Sequence, residues 1–179
     1  MPNATARPRS KAATPLLWLS TLTMGLMAGF FWAFSVLVMP SLKNADDRTF
    51  VAGFQEINRG VKSGGFAFGF FGAFIFTGAA AIVHQRMGRR AAARWIFAAL
   101  LLYIVALAVT IGGNIPLNNK LDQFGDPAKI ADLAGARAAF NEPAWNSMNA
   151  VRTVATTLGL LALGAALVDH GRAQIPAAE

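Results

Sequence analysis

Leu16–Met39 reads LLWLSTLTMGLMAGFFWAFSVLVM, 24 residues without a charge. As a helix this run is ~36 Å long at 1.5 Å per residue, enough to cross a bilayer core of ~30 Å with tilt. A secretory signal core would be ~7–15 residues long and end in an A-x-A-like site. No such site follows, so the stretch is read as an uncleaved first membrane span. Further apolar runs are found at 66–83, 95–111 and 144–168. The expected fold is all-α: a four-transmembrane-helix bundle with one or two short amphipathic helices in the outer loops. Residues 1–15, with Pro2, Pro8 and Pro15 among basic residues, read as a disordered tail. Residues 16–170 form the membrane domain and 171–179 a C-terminal tail.

Composition agrees. Of 179 residues, 55% are hydrophobic and 14% charged, against about 25% charged in a soluble domain. The net charge of +7 sits at span ends, with no basic helix of interleaved aromatics, so nucleic acid is not an expected partner. The absence of cysteine excludes disulfides and thiolate metal sites. Arg86, Arg89, Arg90 and Arg94 crowd a short loop without an acid, whereas the basic residues of the first and third loops are spread thinly. Positive charge marks the cytoplasmic side. Both termini are therefore expected in the cytoplasm, in a multi-pass protein of the cell membrane.

Two loop segments carry helical patterns. Asp46 or Asp47 suits a helix cap, and Phe50, Phe54, Ile57 and Val61 follow as one apolar stripe. Ser63-Gly64-Gly65 would end that helix. Asp126-Pro127 looks like a second start, with Ile130, Leu133, Ala134 and Phe140 as its weaker stripe. Small residues at Gly25/Gly29, Gly65/Gly69/Gly72 and Ala155/Gly159 let helices approach closely in lipid. They serve bundle packing or, alternatively, a homo-oligomer.

The polar signal lies at the outer ends. The third span is expected to stop within Thr110–Asn119, TIGGNIPLNN, where two glycines and Pro116 weaken the helix and three asparagines gather. In the fourth helix Trp145, Asn149, Arg152 and Thr156 share one face. Arg152 lies ~10 Å deeper than Trp145. A charge at mid-span costs roughly 2.5–3.5 kcal/mol on insertion scales, so such a group faces the bundle and has a partner. That partner is an anion in a cavity, or else loop carbonyls, Glu56 or Asp122. Gln55, Glu56, Asn58 and Arg59 belong to the same side. So do the aromatics Phe30, Phe31, Trp32, Phe34, Phe66, Phe68, Phe70 and Phe71, which pack, face lipid, or hold a flat aromatic molecule. Tyr103 at mid-span needs a hydrogen-bond partner. His84 and His170 lack metal-ligand spacing. No phosphate-binding or nucleophile-elbow motif occurs.

The segments FWAFSVLVMPSL, FQEINR, TIGGNIPLNN and WNSMNAVRT, in this order, resemble the DUF1772 family, also called the anthrone oxygenase family. The resemblance runs from about Gly25 to Thr156. It implies a four-helix membrane protein. By analogy with fungal members, it also implies oxidation of an anthrone to an anthraquinone by O₂ without a cofactor. It places the family's polar set on Asn58, Arg59, Thr110, Asn114, Pro116, Asn118, Trp145, Asn149 and Arg152. In that chemistry Arg152, with Asn149 and Asn114, holds an oxyanion, and Glu56, if buried, is the base. Asn58, Arg59, Thr110, Asn114, Asn118, Trp145 and Trp32 line the substrate. The expected partners are an apolar or aromatic small molecule, O₂ and membrane lipid. The alternative is a non-catalytic membrane protein that binds a lipid or quinone-like ligand or assists a partner complex. A transporter is the third reading.

Overall fold

The computed structural model describes residues 10–62 and 64–174. Most of the two predicted tails, residues 1–9 and 175–179, lies outside the described residues, as does Ser63. The described chain is all-helical, with four helices long and apolar enough to cross a membrane. Helix α1 is Ala13–Lys43, α2 is Asp47–Gly60, and α3 is Gly64–Arg86. Helix α4 is Arg90–Asp122, α5 is Leu133–Phe140, and α6 is Glu142–Arg172. The spans pack in the cyclic order α1–α3–α4–α6. Helices α2 and α5 lie against one end of this bundle, on each other and on the outer turns of α4 and α6.

Three boundaries differ from those expected. Helix α1 already begins at Ala13, so Thr14 and Pro15 form its first turn rather than part of a tail. Proline is tolerated there because first-turn amides have no helical partner to lose.

The third span does not stop at the glycines. Helix α4 runs on through a π-helical turn, Thr110–Asn114, to Asp122. A matching π turn, Phe34–Val38, interrupts α1. Each π turn is followed two residues later by proline, Pro40 or Pro116. A proline ring clashes with the carbonyl four residues back, here Val36 or Gly112, and both lie inside the widened turns. The wider turn relieves the clash without ending the helix.

The third difference is at α5. Asp126 caps only a turn, through the Ala128 amide at 2.9 Å. The helix starts after Asp132, whose carboxylate takes the Gly135 amide at 2.7 Å. A Cβ on Gly135 would press on that same carboxylate and make it shift. Asn141, at a left-handed φ of 55°, separates α5 from α6 and caps α6.

Other expectations hold. Asp46 caps α2 through the Thr49 amide at 3.0 Å. Phe50 and Phe54 are buried against Phe140 and Trp145. Tyr103 donates its hydroxyl to the Phe70 carbonyl at 2.7 Å. A Cβ on Gly72 would press on Thr23 of α1, and one on Gly159 on Met24 of α1, so these glycines serve packing within the chain. Gly29 has nothing close and does not.

Arg137 fastens the outer layer. It donates to the carbonyls of Lys43 and Ala45 at 3.0 Å, pairs with Asp47 at 3.1 Å, and stacks over Phe50. At the opposite end, buried His84 accepts from His170 at 3.0 Å, while His84 Nδ1–H donates to the Ala80 carbonyl. Thr14 and Gln174 contact the free face of His170, and Arg89 donates to its carbonyl. The two ends of the described chain therefore meet on one side, away from α2 and α5.

Candidate functional site

The two π turns and the start of α6 converge under the α2–α5 layer. Phe34 is buried in the first turn, and Thr110 and Asn114 in the second. Trp145, Asn149, Arg152 and Thr156 are all buried along one face of α6. Of these, Phe34, Thr110, Asn114, Trp145 and Arg152 border, together with α2 and α3, a cavity of about 360 Å³, within the usual size range of small-molecule sites. Seven phenylalanines from α1, α2 and α3 line it, with Thr110, Asn114, Asn118 and Arg152 among the polar residues.

Arg152 is only 5% exposed. One guanidinium nitrogen donates to Asn149 Oδ1 at 2.8 Å and another to Thr110 Oγ1 at 3.4 Å. Its carbon lies 4.4 Å from the Phe31 ring centre and 5.2 Å from that of Trp145. Neutral acceptors and π faces offset part of the cost of burying the cation. The charge itself is not matched: among the described residues no carboxylate lies within ion-pair distance of Arg152. The expected pairing with Glu56 or Asp122 does not occur.

Asn149 is placed by the first π turn. Its Nδ2 donates to the Phe31 carbonyl at 2.9 Å and to Ser35 Oγ at 2.8 Å. This fixes its amide so that Oδ1 faces Arg152. A second set of amides forms a one-way chain. Trp145 Nε1 donates to Asn118 Oδ1 at 2.8 Å, Asn118 Nδ2 donates to Asn58 Oδ1 at 3.2 Å, and Asn58 Nδ2 donates to the Asp122 carboxylate. Asn114 Nδ2 donates to the Trp145 carbonyl at 3.2 Å. Two polar atoms of cavity-lining residues are buried without a partner, Arg152 Nε and Asn114 Oδ1.

Seven of the ten predicted site residues thus come together: Arg152, Asn149, Asn58, Thr110, Asn114, Asn118 and Trp145. Three do not. Trp32 is 58% exposed on the outside of α1 and faces away from the cavity. On a helix its neighbours Phe30, Phe31 and Phe34 take the inner face instead. Glu56 and Arg59 pair with each other on the exposed side of α2. They border a surface groove, not the cavity. The condition set for Glu56 as a base, burial, is not met. Arg59 also holds its carboxyl below the ordinary range, which makes it a poorer base. Glu56→Gln should therefore leave any anthrone-dependent O₂ uptake of the chain within about twofold of the wild type, measured as initial rate in the same detergent.

Sequence reading assigned no role to Ser35 or Lys62, placed Phe54 only in an apolar stripe, and offered Asp122 only as an ion partner of Arg152. Ser35 anchors Asn149, Phe54 and Lys62 border the cavity, and Asp122 ends the amide chain. Pro40 and Pro116, each two residues past a π turn, are the sequence feature that the outer parts of α1 and α4 share. Among the described residues, Lys62 and Arg152 are the ionisable side chains that line the cavity.

A family model described as anthrone oxygenase matches residues 58–162. That range takes in the amide chain, both partners of Arg152 and most of α6. No curated protein and no solved structure matches the chain.

Proposed function

This chain belongs to the anthrone oxygenase family, and on that premise we propose that it is a cofactor-independent oxygenase. Its substrate is an anthrone-like or other apolar phenolic compound held in the cavity under α2 and α5. The observation that carries this reading is the buried, unmatched charge of Arg152 beside an aromatic-walled space. A buried cation without a counter-ion favours a ligand that brings the negative charge.

Removing a proton from an anthrone methylene yields a phenolate whose charge is shared with the ring carbon. That carbon takes up O₂ and, after protonation, becomes a hydroperoxide. Loss of water then leaves the ketone. One oxygen atom ends in the product and the other in water, and the proton given to solvent in the first step is balanced by the one taken up to form the hydroperoxide. Arg152 stabilises the developing oxyanion, and the low-dielectric surroundings strengthen this interaction. The wall offers no carboxylate or imidazole among the described residues. The substrate proton therefore passes to water at the mouth, near Lys62, and Arg152 lowers the acidity barrier for its loss.

The protein is a multi-pass membrane protein. We place it in the cell membrane with both termini cytoplasmic, on the density of arginine around Arg86–Arg94. The cavity then opens in the outer leaflet, and an apolar substrate enters from lipid.

Purified protein supplied with an anthrone should consume O₂ faster than autoxidation and place one atom of labelled O₂ in the ketone. Rates equal to the protein-free background across a panel of anthrones and hydroquinones would contradict the reading. The lack of a base on the wall favours a second reading, binding of a phenolic or quinone-like ligand without turnover. A copurified ligand identified by mass spectrometry, in protein that leaves anthrones unchanged, would support that one.

A further inference from the structure

The wall of the cavity carries several hydrogen-bond donors and one buried acceptor without a partner. Asn118 Oδ1 already accepts from Trp145, and Asn58 Oδ1 from Asn118. Thr110 Oγ1 spends its hydrogen on the Ala106 carbonyl and faces Arg152. The Nδ2 groups of Asn58 and Asn118 each donate once within the chain and keep a second hydrogen. Arg152 Nε has no partner. Against these donors stands one buried amide oxygen with no partner, Asn114 Oδ1. The Asn114 amide cannot turn over without cost, because its nitrogen is engaged by the Trp145 carbonyl. A buried acceptor left empty is expensive. The third unpartnered buried atom among the described residues, Thr77 Oγ1, does not line this space.

We infer that Asn114 is the specificity-determining acceptor of the cavity. It takes the single hydroxyl hydrogen of a ligand whose other oxygen, a carbonyl or an ionised hydroxyl, lies on Arg152. The ligand class is an aromatic with several acceptor oxygens and one remaining hydroxyl. A ligand without any hydroxyl would leave Asn114 Oδ1 empty. The inference rests on the cavity being the ligand site, as read above, and it adds which wall group selects the ligand.

The test uses coloured ligands that do not react with O₂, so binding is read apart from turnover. The full chain in lipid nanodiscs is titrated with monohydroxyanthraquinones and with unsubstituted anthraquinone. For the preferred isomer, the monohydroxy compound should bind about tenfold more tightly than the unsubstituted quinone. Asn114→Leu should bind both equally, at the weaker level. Equal affinities in the wild type, or a preference that survives Asn114→Leu, would overturn the inference. Should the variant fail to fold, the wild-type ligand pair decides alone. A wild type that discriminates the pair yet leaves anthrones at their background rate keeps the Asn114 assignment and removes the oxygenase. A wild type that oxidises anthrones but binds the pair equally does the reverse.

Discussion

Arg152→Met is expected to lower anthrone-dependent O₂ uptake by about 10²–10³-fold, with folded yield and melting temperature at or above those of the wild type. The rate loss follows from removing the charge that opposes the developing oxyanion, an effect of about 3–4 kcal/mol when one such donor is lost elsewhere. The stability result follows from the same burial. Arg152 sits at 5% exposure without a carboxylate, and replacing an unmatched buried charge by an apolar chain of similar length is often neutral or stabilising. Opposing this, Asn149 Oδ1 loses its donor. That costs on the order of 1–3 kcal/mol, about what relief of the charge returns. Rates and unfolding curves on the same preparation separate the two effects. An Arg152 that were merely structural would lose both together.

Trp145→Ala should destabilise the protein by about 3–5 kcal/mol. The side chain is buried and its ring packs on Phe34, Phe54 and Phe140, so it joins α1, α2 and α5 to α6. Its N–H also starts the amide chain that runs through Asn118 and Asn58 to Asp122. Loss of the ring leaves a void where four helices meet. Loss of the N–H leaves Asn118 Oδ1 empty. Amide exchange should therefore rise in α2 and α5, while the lower bundle around Leu17, Ile96 and Leu163 stays protected. Trp145→Phe keeps most of the packing and removes the N–H alone, so it should cost about 1 kcal/mol. Equal effects of the two substitutions would show that the hydrogen bond, not the ring, holds the layer.

The spans were legible because lipid imposes a simple rule: every backbone polar group is satisfied inside the helix, and apolar runs follow. The face shared by Trp145, Asn149 and Arg152 was legible for a related reason, since helical spacing fixes direction. The continuation of α4 past Gly112 was not. Glycine and proline signal a stop locally, but packing against α6 and the α2–α5 layer carries the helix through a π turn to Asp122. Trp32 was misplaced because the sequence supplies aromatics on every side of α1 and does not say which face is inner. The absence of a partner for Arg152 was also invisible. Glu56 and Asp122 are close in sequence terms to the right elements, yet one is bound to Arg59 and the other to Asn58. Only three-dimensional placement shows that both are spoken for.

The claim beneath these expectations is that Arg152 brings an unmatched positive charge to the ligand. A hydroxyanthraquinone changes colour when it ionises, so its absorbance in the bound state reports that charge. Bound to the wild type, it should ionise at least about one pH unit below its value in empty nanodiscs, as expected for a group within a few ångströms of a buried cation. Bound to Arg152→Met, the shift should vanish. A bound dye that ionises at the same pH in both proteins, or at a higher pH in the wild type, would contradict the account.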